Sequence, residues 1–161
     1  MKKILIGAVL AGLLALPAQA RNFAVPDKDP SVTLTVPDTW KVEEITYGYS
    51  AQSPGKDVFF SVEYANARDI EAMLDNNEQW MKQNKIKKVK PQKIEGPLNG
   101  IDATVFQFNT TDENGPTQVE FVLLPAGKQR MIMLTLWGSD EERAKHKNAI
   151  DAIMNSVKPI P

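Results

Sequence analysis

Cysteine is absent from this 161-residue chain. That removes disulfides, thiolate nucleophiles, Cys-ligated zinc and iron–sulfur clusters together. Histidine is nearly absent too: His146 stands alone, so no two-His metal motif can form within one chain. No apolar run approaches the roughly 20 residues of a membrane-spanning helix. The longest, Ile4 to Leu16, is about a dozen residues. Charge of one sign is missing as well, with 19 Lys+Arg against 20 Asp+Glu and a formal net charge of −1. Such balance predicts no global attraction to nucleic acid or anionic lipid. The Gly-x-Ser-x-Gly elbow, His-Glu-x-x-His, Walker loop and Gly-x-Gly-x-x-Gly are all lacking.

What is present begins with an address. Lys2 and Lys3 form a basic head, an apolar stretch follows, and Pro17-Ala18-Gln19-Ala20 places small Ala at both positions a signal peptidase reads. Residues 1–20 are therefore expected to be a cleaved signal peptide rather than an anchor, with Arg21 the mature N-terminus. Losing Lys2 and Lys3 moves the net charge to about −3. No Cys follows the cleavage point, so a lipid-anchored product is not expected. The pattern suits Sec export and a bacterial periplasmic location, without a stable membrane anchor.

A charged fraction of 24% against 42% hydrophobic suits a folded chain, and its length suits one domain. Residues 21–30, with Pro26 and Pro30, read as a flexible leader, and 31–161 as a single α+β domain. Val32, Leu34 and Val36 alternate with Ser31, Thr33 and Thr35, the mark of a strand buried on one face. A second strand-like run extends from Trp40 through Tyr49, and a third carries Val58, Phe60, Val62 and Tyr64. Ile70, Met73, Leu74, Trp80 and Met81 then fall at helical spacing, with Asn66 or Asp69 to cap and an end near Asn84. A lysine-rich strand to about Ile94, a Gly96–Gly100 turn, and strands over 101–109, 118–124 and 129–137 complete the sheet.

The last of these strands is apolar on both faces. Met131, Met133 and Trp137 point one way, and Ile132, Leu134 and Leu136 the other, so the strand belongs in the centre of its sheet. Ser139 and Glu142 read as a capping box, and Ile150, Ile153, Met154 and Val157 as the stripe of a closing helix. Hairpin-length links imply mostly antiparallel pairing. The expected fold is a mostly antiparallel β-sheet with a helix packed on each face, an αβα sandwich of the α+β class.

Two segments carry a family likeness: Val36-Pro37-Asp38-Thr39-Trp40 at a strand end, and Gly138-Ser139 leading through the capped helix to Ile153-Met154-Asn155-Ser156-Val157. With the element order, the mature chain resembles the PsbP/Mog1-like superfamily, in particular its small exported bacterial members. The resemblance covers nearly all of the mature chain, through structural rather than chemical motifs. Proteins of that superfamily include a photosystem II extrinsic subunit, a Ran-binding protein, periplasmic lipoproteins and secretion-associated chaperones. The resemblance implies the sandwich fold and a tendency to bind other macromolecules, without a shared reaction. It transfers no functional residue, and the missing lipidation Cys departs from the lipoprotein branch.

The candidate chemistry is sparse. His146 as general base needs a positioned nucleophile and orienter; a surface histidine between Lys145 and Lys147 explains it more simply. Asp112-Glu113-Asn114-Gly115 invites a calcium loop, but Thr110 and Phe121 occupy positions where an acid and a Glu are required. Lys85, Lys87, Lys88 and Lys90, flanked by Lys82 and Lys93, could face an acidic partner or anionic headgroups; on an edge strand such lysines also block aggregation. Tyr47 and Tyr49, beside Gly48, could present two rings on one strand face. No catalytic residue, cofactor, metal or nucleic acid is expected. The expected role is a non-enzymatic periplasmic module that binds another protein or supports a membrane-associated assembly. The alternative is a carrier or chaperone holding an apolar ligand or peptide between helix and sheet.

Overall fold

The computed structural model of the chain describes residues 19–161, so all but the last two residues of the expected signal peptide lie outside the described part. Ten strands and three helices follow in the order β1 (Ala20–Val25), β2 (Val32–Pro37), β3 (Lys41–Ile45), β4 (Gly48–Gln52), β5 (Phe59–Asn66), α1 (Ile70–Gln83), β6 (Gln92–Leu98), β7 (Ile101–Asp112), β8 (Gly115–Ala126), β9 (Arg130–Gly138), α2 (Asp140–Lys145), α3 (Lys147–Ser156) and β10 (Lys158–Pro159). Seven strands form one antiparallel sheet in the order β3-β4-β5-β9-β8-β7-β6. A second sheet, β1-β2-β10, has β2 at its centre.

β9 is the fourth of the seven strands, where a ribbon apolar on both faces has to lie. Its register sets Leu134 between Val62 of β5 and Val122 of β8, and Met133 between Glu63 and Leu123. Residues 132–136 are all buried. Ile132, Leu134 and Leu136 join one hydrophobic core with Phe60, Val62, Leu124, Ile153 and Val157; Met133 joins another with Met73, Met81, Val119 and Phe121. One helix therefore serves each face: α3 on the first, α1 on the second. Non-polar burial on both sides of one strand is the main driving force for this layering.

The α3 face also receives the small sheet. Val25, Val32, Leu34 and Val36 point into the same core as Ile153. The Thr35 N–H donates to Ser156 Oγ at 2.8 Å, tying β2 to the end of α3. This corrects the flexible leader expected over residues 21–30: Ala20–Val25 is a strand in six-residue register with β2, and Val25 is fully buried. The physical reason is that β2 would otherwise leave its ladder groups unpaired on that side. The run from Trp40 to Tyr49 is likewise two strands, β3 and β4, folded at Thr46-Tyr47. Trp40 precedes them and is buried in the core.

The lysine-rich strand is a second correction. Residues 86–91 have no regular structure, and the strand begins only at Gln92. Pro91 has no N–H to give a ladder, and Ile86 is drawn into the core beneath α1. The single closing helix is also two. α2 opens with the expected capping box: Ser139 Oγ accepts from the Glu142 N–H, and the Glu142 carboxylate accepts from the Ser139 N–H at 2.7 Å. The chain then bends at His146 before α3. Among the described residues, no helix is long and apolar enough to cross a membrane.

Candidate functional site

Between α1 and the β7–β8 face lies an open groove of about 840 Å³. Its floor is built from the strand pleat. Register pairs Phe106 with Phe121, and Phe108 stands two residues along β7 on the same face. Phe108 and Phe121 meet edge to face, with ring centroids 5.6 Å apart. One wall is α1, whose Asn77 and Met81 turn inward while Leu74, Glu78 and Lys82 line the mouth. Asn77 is buried, and its side-chain amide donates to Met133 Sδ.

The other wall is the segment after α1. Lys85 takes a left-handed conformation (φ 56°), which reverses the chain, and the Ile86 N–H closes back on the Met81 carbonyl at 2.9 Å. The segment then hangs from β7: the Lys87 N–H donates to the Thr111 carbonyl at 2.9 Å, and Thr110 Oγ1 donates to the Lys87 carbonyl at 2.6 Å. These bonds hang the lysine-rich segment from the outer edge of β7, where Lys85, Ile86, Lys88, Val89 and Pro91 line the groove.

The site residues read from the sequence fall into two separated groups. Lys85 and Lys88 line the groove mouth with Lys82; Lys87 and Lys90 lie exposed on the same segment. Lys85 is paired with Glu113 and Lys88 with Glu78, both in exposed ion pairs, whereas Lys82 has no ion-pair partner among the described residues. Tyr47 and Tyr49 are elsewhere. Tyr47, 47% exposed at the β3–β4 turn, stands edge-on to Tyr64. Tyr49 packs on Phe23 with centroids 4.9 Å apart and donates its hydroxyl to Asp27 at 2.8 Å, a bond that raises its pKa by holding the proton. From β4 to β7 is four strand spacings, about 19 Å. The structure brings the lysines together with Phe106, Phe108 and Phe121, and does not bring them together with the tyrosines.

Nothing in the sequence distinguishes the phenylalanines as a site. Their signal, two aromatics at period 2 on β7, is the signal of any buried strand. Only the register with β8 and the path of residues 85–91 show that this face is left open.

His146 is not the surface residue its lysine neighbours imply. Its side chain is 12% exposed, its Nε2 lies 3.2 Å from Asp57 Oδ2, and its ring stands edge-on to Trp40. Lys145 reaches the same carboxylate at 2.5 Å. The Lys145 ammonium first, and His146 second, hold the Asp57 carboxyl below its ordinary range, and Lys145 is raised in turn. This cluster pins the α2–α3 bend to the loop before β5. Ser53 and Lys56, which stand at Ser-x-x-Lys spacing in that loop, form a tight turn: Ser53 Oγ is buried and accepts from the Val58 N–H at 2.9 Å. The Asp112–Gly115 letters make the β7–β8 turn, with Asp112 Oδ1 accepting from the Asn114 N–H at 2.7 Å. Among the described residues, no three His, Asp or Glu side chains gather as a metal site.

No protein-family model and no curated protein matches the sequence. Solved structures do match in shape. The solution structure of cyanobacterial PsbP (CyanoP) from Synechocystis sp. PCC 6803 superposes with a TM-score of 0.61 at 10% identity, over 90% of this chain and 95% of that one. A Bacteroides thetaiotaomicron protein gives 0.59 at 12% identity; there this chain (89% covered) spans 49% of the other's length. LpqN of Mycobacterium tuberculosis, described as involved in cell envelope biogenesis, gives 0.52 at 14% identity, over 88% and 92%. The chain has the PsbP-like fold, as its sequence resemblance implies.

Proposed function

We propose that this protein is an exported, non-enzymatic binding module of the cell envelope that holds the apolar part of its ligand between α1 and the β7–β8 face. One observation carries the reading: a phenylalanine-floored groove of about 840 Å³ that stands open among the described residues. Its size falls within the range of about 300–1,000 Å³ typical of small-molecule sites, and its lining combines an apolar floor with a few polar groups at the mouth. The place between helix and sheet is the one a carrier needs. The two groups of surface residues a protein-docking face would combine are separated in the sheet: the lysines hang from β7 and Tyr49 lies on β4, four strands away.

Export rests on the signal-peptide pattern of residues 1–20 and is in keeping with the envelope role described for LpqN. The non-enzymatic reading rests on His146. Its Nε2 faces the Asp57 carboxylate, and the cluster around it fastens two structural elements. A membrane-associated assembly remains the proposed setting in which a bound ligand is received or delivered, with no nucleic acid and no cofactor involved.

Titration with the neutral apolar dye N-phenyl-1-naphthylamine tests the groove. Wild-type protein gives a saturable one-site rise in fluorescence. The double variant Leu74→Asp/Val89→Asp places two charges at the groove mouth, where Leu74 is 38% exposed, and abolishes the rise while leaving the circular dichroism unchanged. Equal dye binding by wild type and variant, or none by wild type, would overturn the proposal.

A further inference from the structure

We propose that the groove takes a single-chain amphiphile with a carboxylate head, of the free fatty acid type, its tail on the phenylalanine floor and its head at Lys82. This rests on the groove reading above and names the ligand class for it.

The floor of the groove favours an acyl chain over a peptide. A peptide brings one donor and one acceptor per residue, and burial requires partners for each. The floor is a sheet face, which presents side chains and no free backbone groups. On the segment wall, among the described residues, Lys87 alone has both backbone groups bonded, to Thr111 and Thr110, so it is the floor rather than this wall that offers a peptide no partner. The buried amide of Asn77 is likewise engaged, with Met133. An acyl chain makes no such demand; it needs only the non-polar area that Phe106, Phe108, Phe121, Met81 and Ile86 provide.

Charge at the mouth selects the head. Lys82, Lys85 and Lys88 line it, against Asp75 and Glu78 on the α1 side. Glu78 is engaged by Lys88, and Lys85 by Glu113. Such exposed pairs contribute little and exchange readily for a better anion. Lys82 has no ion-pair partner among the described residues. It stands on the last turn of α1, at the edge of the apolar floor, where a carboxylate at the end of a buried tail emerges. Lys87 and Lys90 extend the positive rim along the same segment, in a chain whose overall charge is slightly negative. Local charge therefore favours an anionic head where global charge does not.

Isothermal titration of the full-length mature chain with three ligands of one tail length separates the possibilities: decanoate below its micellar concentration, 1-decanol, and decyltrimethylammonium. Decanoate binds one to one, about threefold to tenfold tighter than decanol, and the cation binds most weakly. Lys82→Gln brings decanoate close to the decanol value and leaves decanol unchanged. Lys158→Gln, on the small sheet, changes neither. If decanol or the cation matches decanoate, or if Lys82→Gln leaves the difference intact, the carboxylate assignment falls and the groove stands. If none of the three binds while the neutral dye does, the amphiphile falls and the groove stands. Failure of dye and ligands together removes both.

Discussion

Cutting β9 back on each face in turn tests the layering that creates the groove. Leu134 is 1% exposed and is flanked by Val62 and Val122, whose strands are hydrogen-bonded on both sides of β9. Neither neighbour can move in without breaking a ladder, so Leu134→Ala leaves most of its cavity unfilled. Large-to-small changes of this kind cost about 2–5 kcal/mol, and a site that cannot collapse belongs in the upper half, about 3–5 kcal/mol. Met133→Ala removes a fully buried side chain from the opposite face. It also takes away the sulfur that the buried Asn77 amide faces, so about 3–5 kcal/mol is expected there too. Ile94→Ala on the edge strand β6, where Ile94 is 41% exposed, changes stability by about 0.5 kcal/mol or less. Urea denaturation followed by tryptophan fluorescence reads all three. With a slope of about 2 kcal/mol/M, the two β9 variants lower the midpoint by about 1.5 M or more, and Ile94→Ala by about 0.25 M at most. A loss below about 1 kcal/mol for either β9 variant would refute the claim that both faces of this strand are buried.

Two further outcomes follow from local geometry. Asp57 has its carboxyl lowered by Lys145 and His146, so its folded-state value lies below the unfolded one; the resulting stability is complete above the ordinary aspartate value of 3.8 and is lost as pH falls through the folded value. Asp57→Asn therefore flattens the acid limb of a plot of Tm against pH below about 4, and an unchanged limb would contradict the pairing. At Gly48, a Cβ would overlap the Val62 carbonyl oxygen across the β4–β5 ladder; Gly48→Ala lowers stability by about 1–3 kcal/mol in the same urea assay, and a neutral result would show that β4 does not approach β5 this closely.

The parts of the fold legible in the sequence are those whose signal is local and repeated. Six of the seven positions from Met131 to Trp137, all but Thr135, are apolar and alternate between two faces, which leaves a strand no place except the interior. Ser139 and Glu142 satisfy each other across three residues, and the structure makes both bonds. β1 has no such signal. Phe23 and Val25 are its only core-facing apolar pair, and what orders it is a distant partner, β2, together with the shared core against α3. The setting of His146 is hidden from local sequence for a related reason: its chain neighbours are lysines, but its spatial neighbours, Asp57 and Trp40, come from far upstream. The lysine segment alternates Lys with Ile and Val as an exposed strand would, yet Ile86 is claimed by the core under α1 and Pro91 interrupts the ladder. The groove was therefore legible only in its lysines. Its floor depends on the register between β7 and β8, and its openness on where residues 85–91 hang.

Amide chemical-shift mapping of the isotope-labelled mature chain during a decanoate titration tests the central claim most directly. The account predicts saturable shifts that concentrate on Lys82 to Val89 and on Phe106, Phe108 and Phe121. Shifts concentrated instead at the β3–β4 turn around Tyr47, or on the small sheet around Asn22, Thr33 and Lys158, would contradict it.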